Sequence, residues 1–186
     1  MKKSFFKEIA APALSLFLIG AVCTLLLALT DSATSAKIAE NSKKTEEKSM
    51  ASAVPEAVGF SEKIVTEDYT YYEAYGDGNT VTAYVFVTSA NGYGGELTVM
   101  TGIDTEGFIT GVIPLKLNET AGLGMKAKND SFLSQYEGKT EGISVNKSSP
   151  GDNEIQALTG ATITSKAVTA AVNAAFDGYK LVKEGQ

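Results

Sequence analysis

The stretch Leu158 to Ser165, LTGATITS, carries the side chains best suited to chemistry, and it leads directly into a helical pattern. One reading is structural: Thr162 or Thr164 caps the helix through its hydroxyl, and Gly160 with Ala161 makes the preceding turn. The other is functional. A threonine hydroxyl at a helix N-terminus lies beside unpaired N–H groups and the positive end of a dipole, where a phosphate is stabilised. Gly160 and Ala161 would also let a bulky group approach the backbone closely. These residues alone leave both readings open.

What the chain lacks narrows the chemistry. Its 186 residues include 16 Lys but no Arg, no His, no Trp and a single cysteine, Cys23. Without His there is no Ser/His/Asp triad and no imidazole-ligated zinc or haem. One thiol can neither cage an iron–sulfur cluster nor close an internal disulfide. No catalytic residue and no metal ligand set is assigned, so any redox chemistry requires a borrowed cofactor. Gly138, Lys139 and Thr140 resemble the end of a phosphate loop, but Leu133 stands where that motif needs glycine. Gly92, Gly94 and Gly95 lack the third glycine of a dinucleotide fingerprint, because Leu97 occupies its place. Both read as turns.

The elements that must position LTGATITS follow from periodicity. Val81, Ala83, Val85 and Val87 alternate with Thr82, Tyr84, Phe86 and Thr88, a strand with both faces at least partly covered. The turn signal Gly76 to Asn79 joins it to a strand over Tyr69–Tyr75. Glu96–Ile103 and Phe108–Leu117 form a second hairpin, turned at Asp104 to Gly107. A short helix is predicted over Ser131–Tyr136 and a short strand over Ile143–Asn146. The final helix places Val168, Val172, Ala175, Phe176, Tyr179 and Val182 on one face. The sum is an α+β domain: an antiparallel sheet with packed helices, preceded by one N-terminal transmembrane helix.

That span is the 22-residue run Ile9 to Thr30, free of charge and roughly 33 Å long as a helix. A cleaved secretory signal is the rival, with an apolar core of only about 7 to 15 residues. Lys2, Lys3 and Lys7 precede the run and Asp31 follows it, which places the N-terminus in the cytoplasm. Beyond Thr30 there are 13 Lys against 21 acidic residues, a net charge of −8, so nucleic acid is a poor partner. The expected organisation is a cytoplasmic segment 1–8, a span 9–30, a polar stalk 31–57 with partial helical character, and an outer domain 58–186. A membrane-proximal helix ending at Pro55 is the alternative to the stalk.

Thr159, Gly160, Ala161 and Thr162 match the S/T-G-A-T signature of the FMN-binding domain family. Two further stretches within Asn91–Gly124, NGYGG and ETAGLG, resemble that family's glycine-rich turn and its following loop. With its single anchor and short length, the whole chain is similar to the G subunits of Rnf complexes, ion-translocating ferredoxin:NAD oxidoreductases of the cell (inner) membrane. The resemblance implies FMN joined by a phosphoester to Thr162, with Thr159, Gly160, Ala161 and Thr164 around it. It also implies that Glu119, Thr120, Gly122, Leu123 and Gly124 form a loop near the flavin. Glu119 holds Thr164, holds backbone, or is surface charge. Implied partners are the other membrane subunits, including the second FMN-carrying subunit, and a flavin transferase during maturation. A free-standing extracytoplasmic flavoprotein and a non-redox anchored binding module are the rival functions.

Overall fold

The computed structural model describes residues 10–66 and 68–185. The positive residues Lys2, Lys3 and Lys7, and the start of the expected span at Ile9, lie outside the described residues. The chain divides into two compact units, one up to Glu46 and one from Glu47 onward. Helix α1, Ala11–Ala53, contributes to both. Its first part, Ala11–Ser35, is long and apolar enough to cross a membrane. The segment expected to be a stalk is helical as far as Ala53, the alternative that ends before Pro55.

The second unit is built on an antiparallel sheet. Its strands are β1 (Gly59–Phe60), β2 (Ile64–Val65), β3 (Thr70–Tyr75), β4 (Val81–Asn91), β5 (Glu96–Asp104) and β6 (Ile109–Lys116). They lie in the order β1-β3-β4-β5-β6, with β2 also on β3. Short helix α2 (Asp130–Leu133) is flanked by 3-10 turns at Gly124–Lys128 and Ser134–Tyr136. Strands β7 (Ser144–Asn146) and β8 (Glu154–Gln156) form a separate parallel pair, and helix α3 (Thr162–Glu184) closes the fold. The α+β class, the two hairpins and the last helix agree with the sequence pattern. Strands β1, β2 and β8 were not expected, since runs of two or three residues carry no periodicity.

The alternation in β4 builds two cores. Tyr84 and Phe86 face α3 together with Leu97, Val99 and Ile103 of β5, where they meet Val168, Val172, Ala175 and Phe176. Ala83 and Val85 face the other way, with Tyr72, Ala74 and Met100, and there they bury Met50, Ala53 and Val54 from the end of α1. Gly102 and Gly111 are cross-strand partners on that second face. A Cβ on Gly102 would sit 2.5 Å from the Ala53 carbonyl oxygen, and one on Gly111 would sit 2.8 Å from it. The two glycines therefore form a notch for the helix end, locked by Thr110 Oγ1 donating to Ala53 O at 2.6 Å.

Strand directions bring the important loops together. Asn91 pairs with Glu96 across the β4–β5 turn, and Thr98 pairs with Lys116 near the end of β6. The turn at Gly92–Gly95 and the loop leaving β6 thus lie at one end of the sheet. Helix α3 starts at that end: Thr88 Oγ1 donates to Ala171 O at 2.7 Å, while at the far end the Tyr179 hydroxyl donates to Thr105 O at 3.0 Å.

Gly102→Ala should destabilise the second unit by about 1 to 3 kcal/mol through overpacking. Gly59→Ala, whose Cβ would meet nothing within 4 Å, should be near neutral. Chemical denaturation of the two variants beside the parent protein measures both.

Candidate functional site

The glycine-rich turn and the loop after β6 interlock. Glu119 Oε1 accepts the Tyr93 N–H at 2.9 Å, across a turn closed by Gly92 N–H donating to Gly95 O at 2.8 Å. The surrounding glycines leave this space to Glu119 and the Asn118 backbone. A Cβ on Gly92 would lie 2.1 Å from Glu119 Oε1, and one on Gly94 would lie 2.0 Å from the Asn118 carbonyl oxygen. A Cβ on Gly124 would lie 2.8 Å from both Glu119 Cβ and Glu119 Oε2, and 2.6 Å from Thr164 Oγ1. Of the three roles open to Glu119, its geometry matches the one in which it holds backbone.

From Glu119 the chain curls over itself: the N–H groups of Leu123 and Met125 both donate to Thr120 O at 3.2 Å. Gly122 supplies the left-handed residue, with φ +76°. The second wall comes from the start of α3. Ala161 N–H donates to Leu158 O at 2.9 Å, and Gly160, at φ +78°, takes a conformation that L side chains rarely adopt.

Ala161 is the N-cap of α3, and no side chain among the described residues caps that terminus. The reading in which Thr162 or Thr164 is the cap is therefore corrected. What holds the turn is Ser165, fully buried, whose Oγ accepts the Leu158 N–H at 2.9 Å and donates to Ala161 O at 3.0 Å. Behind it, Thr169 Oγ1 donates to Ser165 O at 2.9 Å and shares a 2.8 Å hydrogen bond with the Tyr136 hydroxyl. Burial pushes the Tyr136 phenol well above its ordinary value, so it stays neutral within this buried ladder. The first turn of α3 therefore has no side-chain cap, an arrangement that favours an anion.

Between the two walls is a cleft of about 520 Å³. Glu119, Thr120, Leu123 and Gly124 line one side and Gly160, Ala161, Thr162 and Thr164 the other. Eight of the ten residues expected at the site therefore meet here. Gly122 and Thr159 do not line the cleft; Gly122 shapes its loop and Thr159 is an exposed turn residue. Tyr93 and Ile163 also line it, and sequence reasoning missed both. The position of Tyr93 inside the glycine-rich motif was the available signal. Thr162 is half-buried while Thr164 is buried, so Thr162 is the more accessible residue of the two.

The cleft thus sets an uncapped helix start beside a wall that includes Leu123, Ile163 and Tyr93. Comparison with known proteins agrees with this chemistry. Residues 92–177 match the FMN-binding domain family, and residues 1–52 match the RnfG N-terminal region. Over 90% of this chain and 89% of the relative, 37% of residues are identical to the G subunit of the Na(+)-translocating ferredoxin:NAD(+) oxidoreductase complex of Acetobacterium woodii. The chain belongs to the RnfG family. A second member, the G subunit of an ion-translocating oxidoreductase complex of Methanosarcina acetivorans, is 29% identical over 96% of this chain and 98% of its own. Among solved structures, the C subunit of the Na(+)-translocating NADH-quinone reductase of Parabacteroides distasonis superposes with a TM-score of 0.51 at 26% identity, over 60% of each chain. Over that part the two chains share a fold.

Ser165→Ala removes the acceptor for the Leu158 N–H and should cost about 1 to 2 kcal/mol. Ser165→Thr, which keeps the hydroxyl, should cost less. Thermal unfolding of both variants tests the assignment.

Proposed function

We propose that this chain is the membrane-anchored electron-transfer subunit of an ion-translocating ferredoxin:NAD oxidoreductase, carrying FMN esterified to Thr162. The observation that carries the reading is the meeting of two motif segments, Glu119–Gly124 and Gly160–Thr164, around one cleft at the uncapped start of α3. When bound, the flavin supplies one- and two-electron chemistry; the protein supplies place, orientation and environment.

The chain's own contributions are specific. The amides of Thr162, Ile163 and Thr164 and the dipole of the 23-residue helix α3 favour the phosphate's negative charge. Gly160 keeps the turn free of a side chain that would meet Leu123, whose Cδ2 would lie 3.1 Å from a Cβ there. Leu123 and Ile163 exclude water from the apolar edge of the ring. In maturation a flavin transferase joins the Thr162 oxygen to the phosphorus of an activated FMN donor; the hydroxyl proton and the donor's leaving group depart. A covalent tether keeps the cofactor from diffusing away outside the cell.

In this reading residues 9–30 form a single span with residues 1–8 in the cytoplasm, and the flavin domain faces outward. The apolar part of α1 from Ala11 to Thr30 has no ionisable side chain apart from the thiol of Cys23, so it offers no path for a cation. Ion translocation then belongs to the other subunits of the complex, and this chain is an electron carrier that catalyses nothing alone.

Thr162→Ala should abolish the covalent flavin while the domain still folds, and peptide mass spectrometry of the parent protein should place the adduct on Thr162. An adduct on Thr159 or Thr164, or none in protein from the native host, overturns the assignment. For topology, Ser42→Cys should react with an impermeant thiol reagent in intact cells and Ser4→Cys should not. The opposite pattern would put the flavin domain in the cytoplasm.

A further inference from the structure

The cleft has an aromatic wall that the two motif segments leave unexplained. Tyr93 is 71% exposed, yet its backbone is fixed from three directions. Its own N–H is held by Glu119 Oε1; a Cβ on Gly94 would collide with the Asn118 backbone carbonyl, and one on Gly92 would displace the Glu119 carboxylate that makes this hold. Tyrosines at exposed turns are common; here a carboxylate and the two flanking glycines together fix the backbone of one. Among the described residues lining the cleft, Tyr93 is also the aromatic one; Leu123 and Ile163 are aliphatic.

We propose that the Tyr93 ring stacks against the isoalloxazine of the bound FMN, and that Glu119 is the positioning residue that sets the ring there. The proposal rests on the reading that FMN is held at Thr162. A planar heteroaromatic ring gains most from an offset aromatic partner, and a wall held in place before the cofactor arrives loses little freedom on contact. Glu119 acts by accepting a hydrogen bond rather than by its charge. A glutamine carbonyl at that position can accept the same Tyr93 N–H, whereas alanine cannot.

Flavin emission tests this independently of electron transport. An excited flavin in van der Waals contact with a phenol takes an electron from it and returns it without emitting, whereas phenylalanine is a far poorer donor. Full-length protein in detergent, matured in its native host, is compared with Tyr93→Phe, Tyr93→Leu, Glu119→Gln and Glu119→Ala, each normalised to covalent flavin. The parent protein should have a short emission lifetime, and Tyr93→Phe should lengthen it several-fold. Glu119→Gln should stay close to the parent, while Glu119→Ala should lengthen the lifetime partway. If Tyr93→Leu fails to take up flavin, Tyr93→Phe alone decides. A Tyr93→Phe lifetime equal to the parent's overturns the stacking. A Glu119→Gln lifetime as long as that of Glu119→Ala overturns the positioning role. Absence of covalent flavin from the parent protein itself would instead refute the underlying FMN assignment.

Discussion

A helix that starts without a side-chain cap leaves its first amides to find partners elsewhere, and in this domain two loops meet around such a start. Serine or threonine at the N-cap would have satisfied one of those amides. Here Ala161 stands at the cap and the hydroxyl of Ser165, one turn further on, holds the turn from behind. The stabilising hydroxyl is thus on the buried face, and the helix start carries no side-chain cap. Thr88, Asn173 and Tyr179 tie α3 to its surroundings along its length, so the start has a fixed position at one end of the sheet.

The opposite wall obeys a different constraint, which is steric. Gly92, Gly94 and Gly124 are small because Glu119 and the Asn118 carbonyl occupy the space that side chains would need. The glycine-rich turn and the loop after β6 are therefore one interlocked unit, although more than twenty residues separate them in the chain. On the other face of the sheet, Gly102 and Gly111 apply the same device to the end of α1. Burial of Met50, Ala53 and Val54 makes that helix end part of the domain's core rather than a tether.

Much of this could be read before any coordinates. The alternation of Val81–Thr88, the Gly76–Asn79 turn and the apolar face of α3 lie within single elements, where local periodicity decides the outcome. The start of α3 was legible from its hydroxyls and small residues before a helix, and the Glu119 loop only through its resemblance to the FMN-binding domain family. What escaped depends on contacts between distant segments. Ser165 reads as one more polar residue in a helix's first turns, Tyr93 as an exposed turn tyrosine, and Met50 as the end of a polar run. The three-residue ladder of β7 and β8 is set by the Glu154 carboxylate accepting from Gly151 N–H and Asn146, and by Asn173 holding Ile143, interactions that no window of sequence contains.

The central claim is that the start of α3 carries FMN through a phosphodiester to threonine. Phosphorus NMR across a pH series tests it directly, because a phosphate monoester titrates with a second pKa near about 6 and a diester does not. The flavin-loaded protein should give one phosphorus resonance whose position is unchanged from mildly acidic to mildly alkaline pH, and which survives unfolding. A resonance that moves with pH through that range, or that leaves with the flavin when the protein is unfolded, would mean that the cofactor is held without the ester.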